Sequence, residues 1–154
     1  MALSRPTMVS VYLRFARIVS ERSTCARLKV GAVITTSDME QVLALGYNGN
    51  AKGFPNECDS DEPGKCGCIH AEVNALIKCG KKDRKKVMFV TNAPCAHCAK
   101  LIVNSGFSLV HYLDDYRSSA GLLILKQAGI TVRRFEEGIV EDDSSGPDNG
   151  RPQD

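Results

Sequence analysis

The chain contains no tryptophan and only 6% aromatic residues, thin provision for a surface that stacks nucleic-acid bases. It has no uninterrupted apolar run approaching the roughly 18 residues a membrane helix requires, so no membrane partner is expected. Met1 to Ser10 has no apolar core of the secretory-leader kind, and the expectation is a cytoplasmic protein. There is no internal repeat and no sign of a second domain. What is present is 154 residues with 43% apolar and 25% charged content, enough for one globular domain with a good core. In a cytoplasmic chain, seven cysteines point to metal binding rather than to disulfides.

The net charge of +2 conceals an asymmetry. From Glu136 onward seven acids face only Arg151, a balance of −6, which leaves +8 on the remaining body. A basic body suits an anionic ligand such as a nucleotide, although a merely solvated basic surface has the same composition.

Two short stretches carry the chemistry. The first is Ile69-His70-Ala71-Glu72-Val73-Asn74-Ala75-Leu76 and the second is Pro94-Cys95-Ala96-His97-Cys98. Cys95 and Cys98 are three apart, on one face of a predicted helix from Pro94 to about Asn104, where the positive helix end favours thiolates. Pro94 suits the helix start, where its missing N–H costs nothing. His70 and Glu72 open another predicted helix, Ile69 to about Cys79, closed by Gly80. One imidazole and two thiolates would hold Zn2+ and leave one tetrahedral position for water, with Glu72 as an unligated proton carrier. A Cys-x-x-Cys alone is as often a redox pair or half of a structural zinc knuckle. The two stretches in this order are the His-x-Glu and Pro-Cys-x-x-Cys signature of zinc deaminases.

Around these stretches the chain alternates. Thr7 caps a predicted helix to about Ser23, with Val11, Tyr12, Phe15 and Val19 as its buried stripe. Leu28–Thr36 and Gln41–Tyr47 read as an antiparallel hairpin, followed by a long Gly/Pro/Asn/Asp loop over 48–65. Lys81 to Lys86 reads as a solvated basic connector. Strands at Val87–Thr91, Ser108–Leu113 and Ile130–Phe135 alternate with the cysteine helix and a helix at Ser118–Ala128, which implies an α/β fold with parallel pairing in this half. The composition from Gly138 to Asp154 is that of a disordered acidic tail, so the domain is expected to span 1–137.

Cys79 reads as a small buried residue. Cys25, Cys58, Cys66 and Cys68 flank the first strand and the long loop. They would form either a closed four-thiol structural zinc site that pins the loop or a scatter of free thiols.

From about residue 7 to 135 the chain resembles the deoxycytidylate (dCMP) deaminases, phage and bacterial members most of all. The matching pieces are Ser23-Thr24-Cys25-Ala26-Arg27, Val30-Gly31-Ala32-Val33-Ile34, Gly46-Tyr47-Asn48-Gly49, the His70 and Cys95 blocks, and Ala128-Gly129-Ile130. The resemblance implies a three-layer cytidine-deaminase-like fold, a five-stranded mixed sheet flanked by helices, usually assembled as a hexamer. It implies hydrolysis of dCMP to dUMP and ammonia, supplying dUMP for thymidylate synthesis, in the cytoplasm (the host's, for a phage protein). It also implies activation by dCTP and inhibition by dTTP, with Mg2+ accompanying the effector, at a site near Asn48, Gly49, Lys52 and Gly53. Members commonly have a proline two residues after Gly49, where this chain has Asn50-Ala51-Lys52-Gly53. For the substrate the resemblance points to Ala71 and Ala93 at the base edge, Asn48 at the sugar, and Arg27, Asn74 and Tyr116 at the 5′-phosphate, Arg27 being the natural charge partner. Some relatives hold a second zinc with cysteines placed like Cys25 and Cys58. Other readings of the same zinc block are an enzyme acting on tRNA adenosine or single-stranded nucleic acid, a riboflavin-pathway or guanine deaminase, and a non-enzymatic zinc module.

Overall fold

A computed structural model describes residues 4–80 and 85–136. Most of the basic connector and the whole acidic tail lie outside the described residues, as does the expected domain boundary. The described chain runs α1 (Met8–Ser20), β1 (Gly31–Thr36), β2 (Val42–Tyr47), α2 (Ala71–Cys79), β3 (Lys86–Asn92), α3 (Ala96–Val103), β4 (Phe107–Asp114), α4 (Ala120–Gln127) and β5 (Thr131–Arg134). The sheet order is β2-β1-β3-β4-β5. β1 pairs antiparallel with both β2 and β3, whereas β3–β4 and β4–β5 are parallel, so the sheet is mixed as expected. Among the described residues no helix is long and apolar enough to cross a membrane.

Helices cover both faces of the sheet. α1 packs Val9, Tyr12, Leu13 and Ala16 against Val33, Val87 and Phe89. On the other face, α2, α3 and α4 bury Ala71, Ala75, Ala99, Ile102 and Leu125 against Ile34, Met88, Val90 and Val110. The strands at the centre, β1 and β3, are almost wholly buried, which is why their sequences run apolar instead of alternating. Each large side chain buried there contributes roughly 1.5–3 kcal/mol relative to exposure.

Several boundaries differ from the periodicity, each for a local reason. Thr7 does cap α1, its Oγ1 accepting from the Ser10 N–H at 3.2 Å. The helix ends at Ser20, because Glu21, Arg22 and Ser23 donate three residues back and tighten the last turn. Its buried stripe is also displaced: Leu13 and Ala16 are buried, whereas Val11 and Phe15 lie half-buried at its flanks. Ala16 belongs there because Gly31 crosses beneath it, so closely that a Cβ on Gly31 would fall 2.0 Å from the Ala16 carbonyl oxygen. β1 begins at Gly31 instead of Leu28, since the Asn48 side chain takes the place of a ladder partner. Its Nδ2 donates to Leu28 O at 2.7 Å and its Oδ1 accepts from Val30 N at 2.8 Å.

Candidate active site

Both reactive stretches sit at helix starts, one residue further out than their periodicity implies. His70 is the N-cap of α2, with extended backbone at φ −68° and ψ 153°. Cys95 is the N-cap of α3, at φ −70° and ψ 169°, and its sulfur accepts from the Cys98 N–H at 3.5 Å. Pro94 therefore precedes the helix instead of opening it. Cys95 and Cys98 converge because one caps the first turn in which the other lies, a geometry that also satisfies an orphan N–H.

Two features bring the helix starts together. The N–H of Ala93, just past the end of β3, donates to Asp114 O at the end of the neighbouring parallel strand at 2.8 Å. α4 then presses on the turn that follows through Gly121, where a Cβ would lie 1.9 Å from Pro94 O. The result places His70 Nδ1 3.3 Å from Cys98 Sγ and 3.6 Å from Cys95 Sγ. All three donor atoms lie within 4.8 Å of one another. A nitrogen and two soft sulfurs meeting at one point fit a zinc ion, and these are the residues that would hold it.

Electrostatics agree with a ligand set. Cys95 is held down to about 3, first by the Cys98 thiol bonded to it and also by the His70 imidazole, against the opposing push of burial. Cys98 is pushed up by its bond to Cys95 and by burial. The bond to Cys95 raises His70. Glu72 stands in the first turn of α2, only 4% exposed, and burial raises its carboxyl above the usual range. It lies against the Cys98 thiol but is not one of the three clustered donors. A buried carboxyl that holds a proton readily, beside a three-ligand metal cradle, is equipped for acid–base work.

A cavity of about 610 Å³ opens beside these groups, with His70, Glu72 and Cys95 in its wall. Of the remaining substrate residues expected from sequence, Arg27, Asn48, Ala71, Ala93 and Tyr116 line it. Asn48 is 7% exposed and accepts from Ser23 Oγ at 2.6 Å besides its two bonds to the 28–30 segment. Both oxygen lone pairs are thus used, and one amide hydrogen is left for a ligand. Asn74 is not brought to the cavity. Its Nδ2 donates to Tyr47 O at 2.9 Å and ties α2 to β2. Gly49 pairs with Ile69, its N–H donating at 3.1 Å and its carbonyl accepting at 2.8 Å. Lys52 and Gly53 are exposed on the loop and do not line the cavity.

The second cysteine group forms in part. The sulfurs of Cys25 and Cys58 are 3.7 Å apart, and those of Cys58 and Cys68 are 3.9 Å apart. Cys66 contacts Cys68 but stays outside the cluster of three, on the far side of the Gly67 turn. Burial works against ionisation of Cys25, yet bonds from the Leu28 and Arg27 backbone and the neighbouring thiols bring it to about 7. Cys68 is driven up, chiefly by burial and then by Cys25.

The cavity also includes Asn92, Asp115 and Arg117, which the motifs did not indicate. A usable signal existed. All three lie at or just past the C-terminal ends of the parallel strands β3 and β4, where open α/β sheets place their ligands.

Residues 7–114 match the family described as the cytidine and deoxycytidylate deaminase zinc-binding region. The chain is 36% identical over 146 residues to the deoxycytidylate deaminase of Saccharomyces cerevisiae, covering 86% of this chain and 46% of the yeast protein. It therefore spans about half the length of that relative. The deoxycytidylate deaminase of Mycobacterium phage D29 is 34% identical, over 71% of this chain and 97% of its own length. Among solved structures, the dCMP deaminase of cyanophage S-TIM5 in complex with dCMP and dUMP superimposes with a TM-score of 0.75. It is 33% identical, covering 86% of this chain and all of its own.

Proposed function

The chain belongs to the cytidine and deoxycytidylate deaminase family, and on that premise we propose that it removes ammonia hydrolytically from C4 of dCMP, yielding dUMP. The observation that carries this reading is the meeting of His70 Nδ1 with the Cys95 and Cys98 sulfurs beside a buried, unclustered Glu72. The phage relative named for dCMP and the cyanophage structure holding dCMP and dUMP support the choice of substrate.

Zinc, when bound, supplies Lewis-acid chemistry that makes hydroxide available near neutral pH. Glu72 accepts one proton from the attacking water and delivers it to ring N3, then takes up the proton of the hydroxyl added at C4 as the carbonyl forms and passes it to the departing amine. Its burial suits the task, because a carboxyl with a raised pKa retains a proton between transfers. Ala71 and Ala93 flank the base. The Ala93 N–H is engaged by Asp114, so this residue offers its carbonyl. Asn48 donates its remaining amide hydrogen to the sugar, and Arg27 with Tyr116 faces the 5′-phosphate.

The same reading includes a second, structural zinc on Cys25, Cys58 and Cys68, which would fasten the 58–68 loop to the start of β1. It includes a hexamer acting in the cytoplasm (the host's, for a phage protein), feeding dUMP to thymidylate synthesis. Activation by dCTP with Mg2+ and inhibition by dTTP, through Asn48, Gly49, Lys52 and Gly53, complete it.

The test is ammonia release from dCMP, dCDP, dCTP, deoxycytidine, guanine and a short oligonucleotide, with and without added dCTP. Turnover confined to or strongly favouring dCMP is expected. Preference for the oligonucleotide or for guanine overturns the reading.

A further inference from the structure

We propose that Ser23 is a positioning residue that acts through Asn48: its hydroxyl clamps the Asn48 amide so that the one free N–H of that amide meets the 3′-hydroxyl of the substrate. This rests on the dCMP reading above.

Asn48 lines the cavity with His70 and Glu72, whereas Ser23 stands behind it, 6% exposed and outside the cavity wall. Two backbone groups fix which end of the amide faces which way. The Val30 N–H can only donate and meets Oδ1 at 2.8 Å, and the Leu28 carbonyl can only accept and meets Nδ2 at 2.7 Å. Both groups belong to the irregular stretch that leads into β1, where Leu28 is 41% exposed. An amide tied to that stretch alone would swing with it. Ser23 supplies a bond from a different element, the turn after α1, which its own N–H closes by donating to Ser20 O at 2.9 Å. The Ser23 hydroxyl oxygen accepts from the Cys25 N–H at 3.2 Å, and its single hydrogen goes to Asn48 Oδ1 at 2.6 Å.

The backbone beside Asn48 is referenced to the metal cradle independently. Gly49 and Ile69 exchange N–H to carbonyl bonds at 3.1 and 2.8 Å, and His70 follows directly. Thr24 presses on the same point, since a Cβ on Gly49 would lie 2.6 Å from Thr24 Oγ1. The main chain is thus set by its neighbour on the way to His70, and the side chain by Ser23. Two donors on one amide oxygen also polarise the group, which strengthens Nδ2 as a donor on the side that faces the cavity. A serine that merely ended α1 would need no such bond, because the backbone already closes that turn.

The measurement is kcat/KM for dCMP and for 2′,3′-dideoxycytidine 5′-monophosphate, which lacks the 3′-hydroxyl. It uses the zinc-loaded full-length chain and its Ser23→Ala and Ser23→Thr variants. Ser23→Ala is expected to lower kcat/KM for dCMP roughly 3- to 10-fold, mainly through KM, while the dideoxy value stays within about two-fold. Ser23→Thr, which keeps a hydroxyl, should bring the ratio of the two substrates back toward that of the wild type. A general loss of folded protein lowers both values together and leaves the ratio unchanged, so the ratio reads the sugar contact alone. An active wild type whose ratio is unmoved by Ser23→Ala overturns this inference and leaves the dCMP reading standing. So does a wild type that turns over both nucleotides equally. A wild-type protein inert on dCMP overturns both.

Discussion

Gly121 and Pro94 meet backbone to backbone: a Cβ on the helix glycine would fall 1.9 Å from the proline carbonyl oxygen and 2.9 Å from the Cys95 carbonyl carbon. α4 thus abuts the backbone that leads into the α3 N-cap and sets where it stands. Gly121→Ala should force the two helices apart at a cost of roughly 1–3 kcal/mol. At this chain length each kcal/mol corresponds to about 2–4 °C in Tm. Zinc affinity should weaken as well, because Cys95 moves with its turn. Thermal melts and competition with a chelator check both effects, and an unchanged affinity would separate α4 packing from the metal cradle.

Glu72 and the three clustered donors make distinct contributions. Glu72→Ala should lower turnover by roughly 10²- to 10⁴-fold, the range of a positioned general acid–base, while zinc content stays at the wild-type level. Metal analysis beside the assay distinguishes the roles. Loss of the ion with this substitution would make Glu72 a ligand.

The thiols of Cys25, Cys58 and Cys68 sit where a metal would join the start of β1 to the long loop. About two zinc ions per chain are expected, one at each cluster. Cys58→Ser should remove one of them and lower Tm, with the loop's backbone amides exchanging faster. One ion per chain together with unchanged stability in Cys58→Ser would dispose of the second site.

His111 is 1% exposed in β4, its ring stacked on Phe89 at 5.3 Å, and neither ring nitrogen has a partner among the described residues. Burial, followed by the nearby Arg133 charge, lowers its pKa to about 4. The unfolded chain therefore binds a proton here more readily than the folded one. Stability from this residue is complete above the unfolded value of about 6.5 and is lost as pH falls toward 4, by roughly 3 kcal/mol in all. His111→Phe removes that proton, so the gap between Tm at pH 7.5 and at pH 5 should narrow. A gap as wide as in the wild type would show that other groups set the acid sensitivity.

What was legible in the sequence was local. Thr7 as a cap, Gly80 after α2, the alternation of strands and helices, and the two reactive stretches all act through neighbours a few residues apart. Hydrogen bonding and helix geometry have that same short reach, so spacing alone carries them.

Tertiary structure decided the rest, because it depends on atoms brought together from distant parts of the chain. Nothing near Asn74 in sequence says that its amide is committed to Tyr47, and nothing near Cys66 says that it stays outside the thiol cluster. Nothing near Arg117 in sequence says that its guanidinium abuts Gly64. The sequence by itself determined which chemistry was on offer, since ligand type and spacing are covalent facts. Packing of α4 on α3 and folding of the 58–68 loop onto Cys25 and Arg27, ahead of the first strand, decided where that chemistry is pointed, since a close approach exists only once both partners are in place.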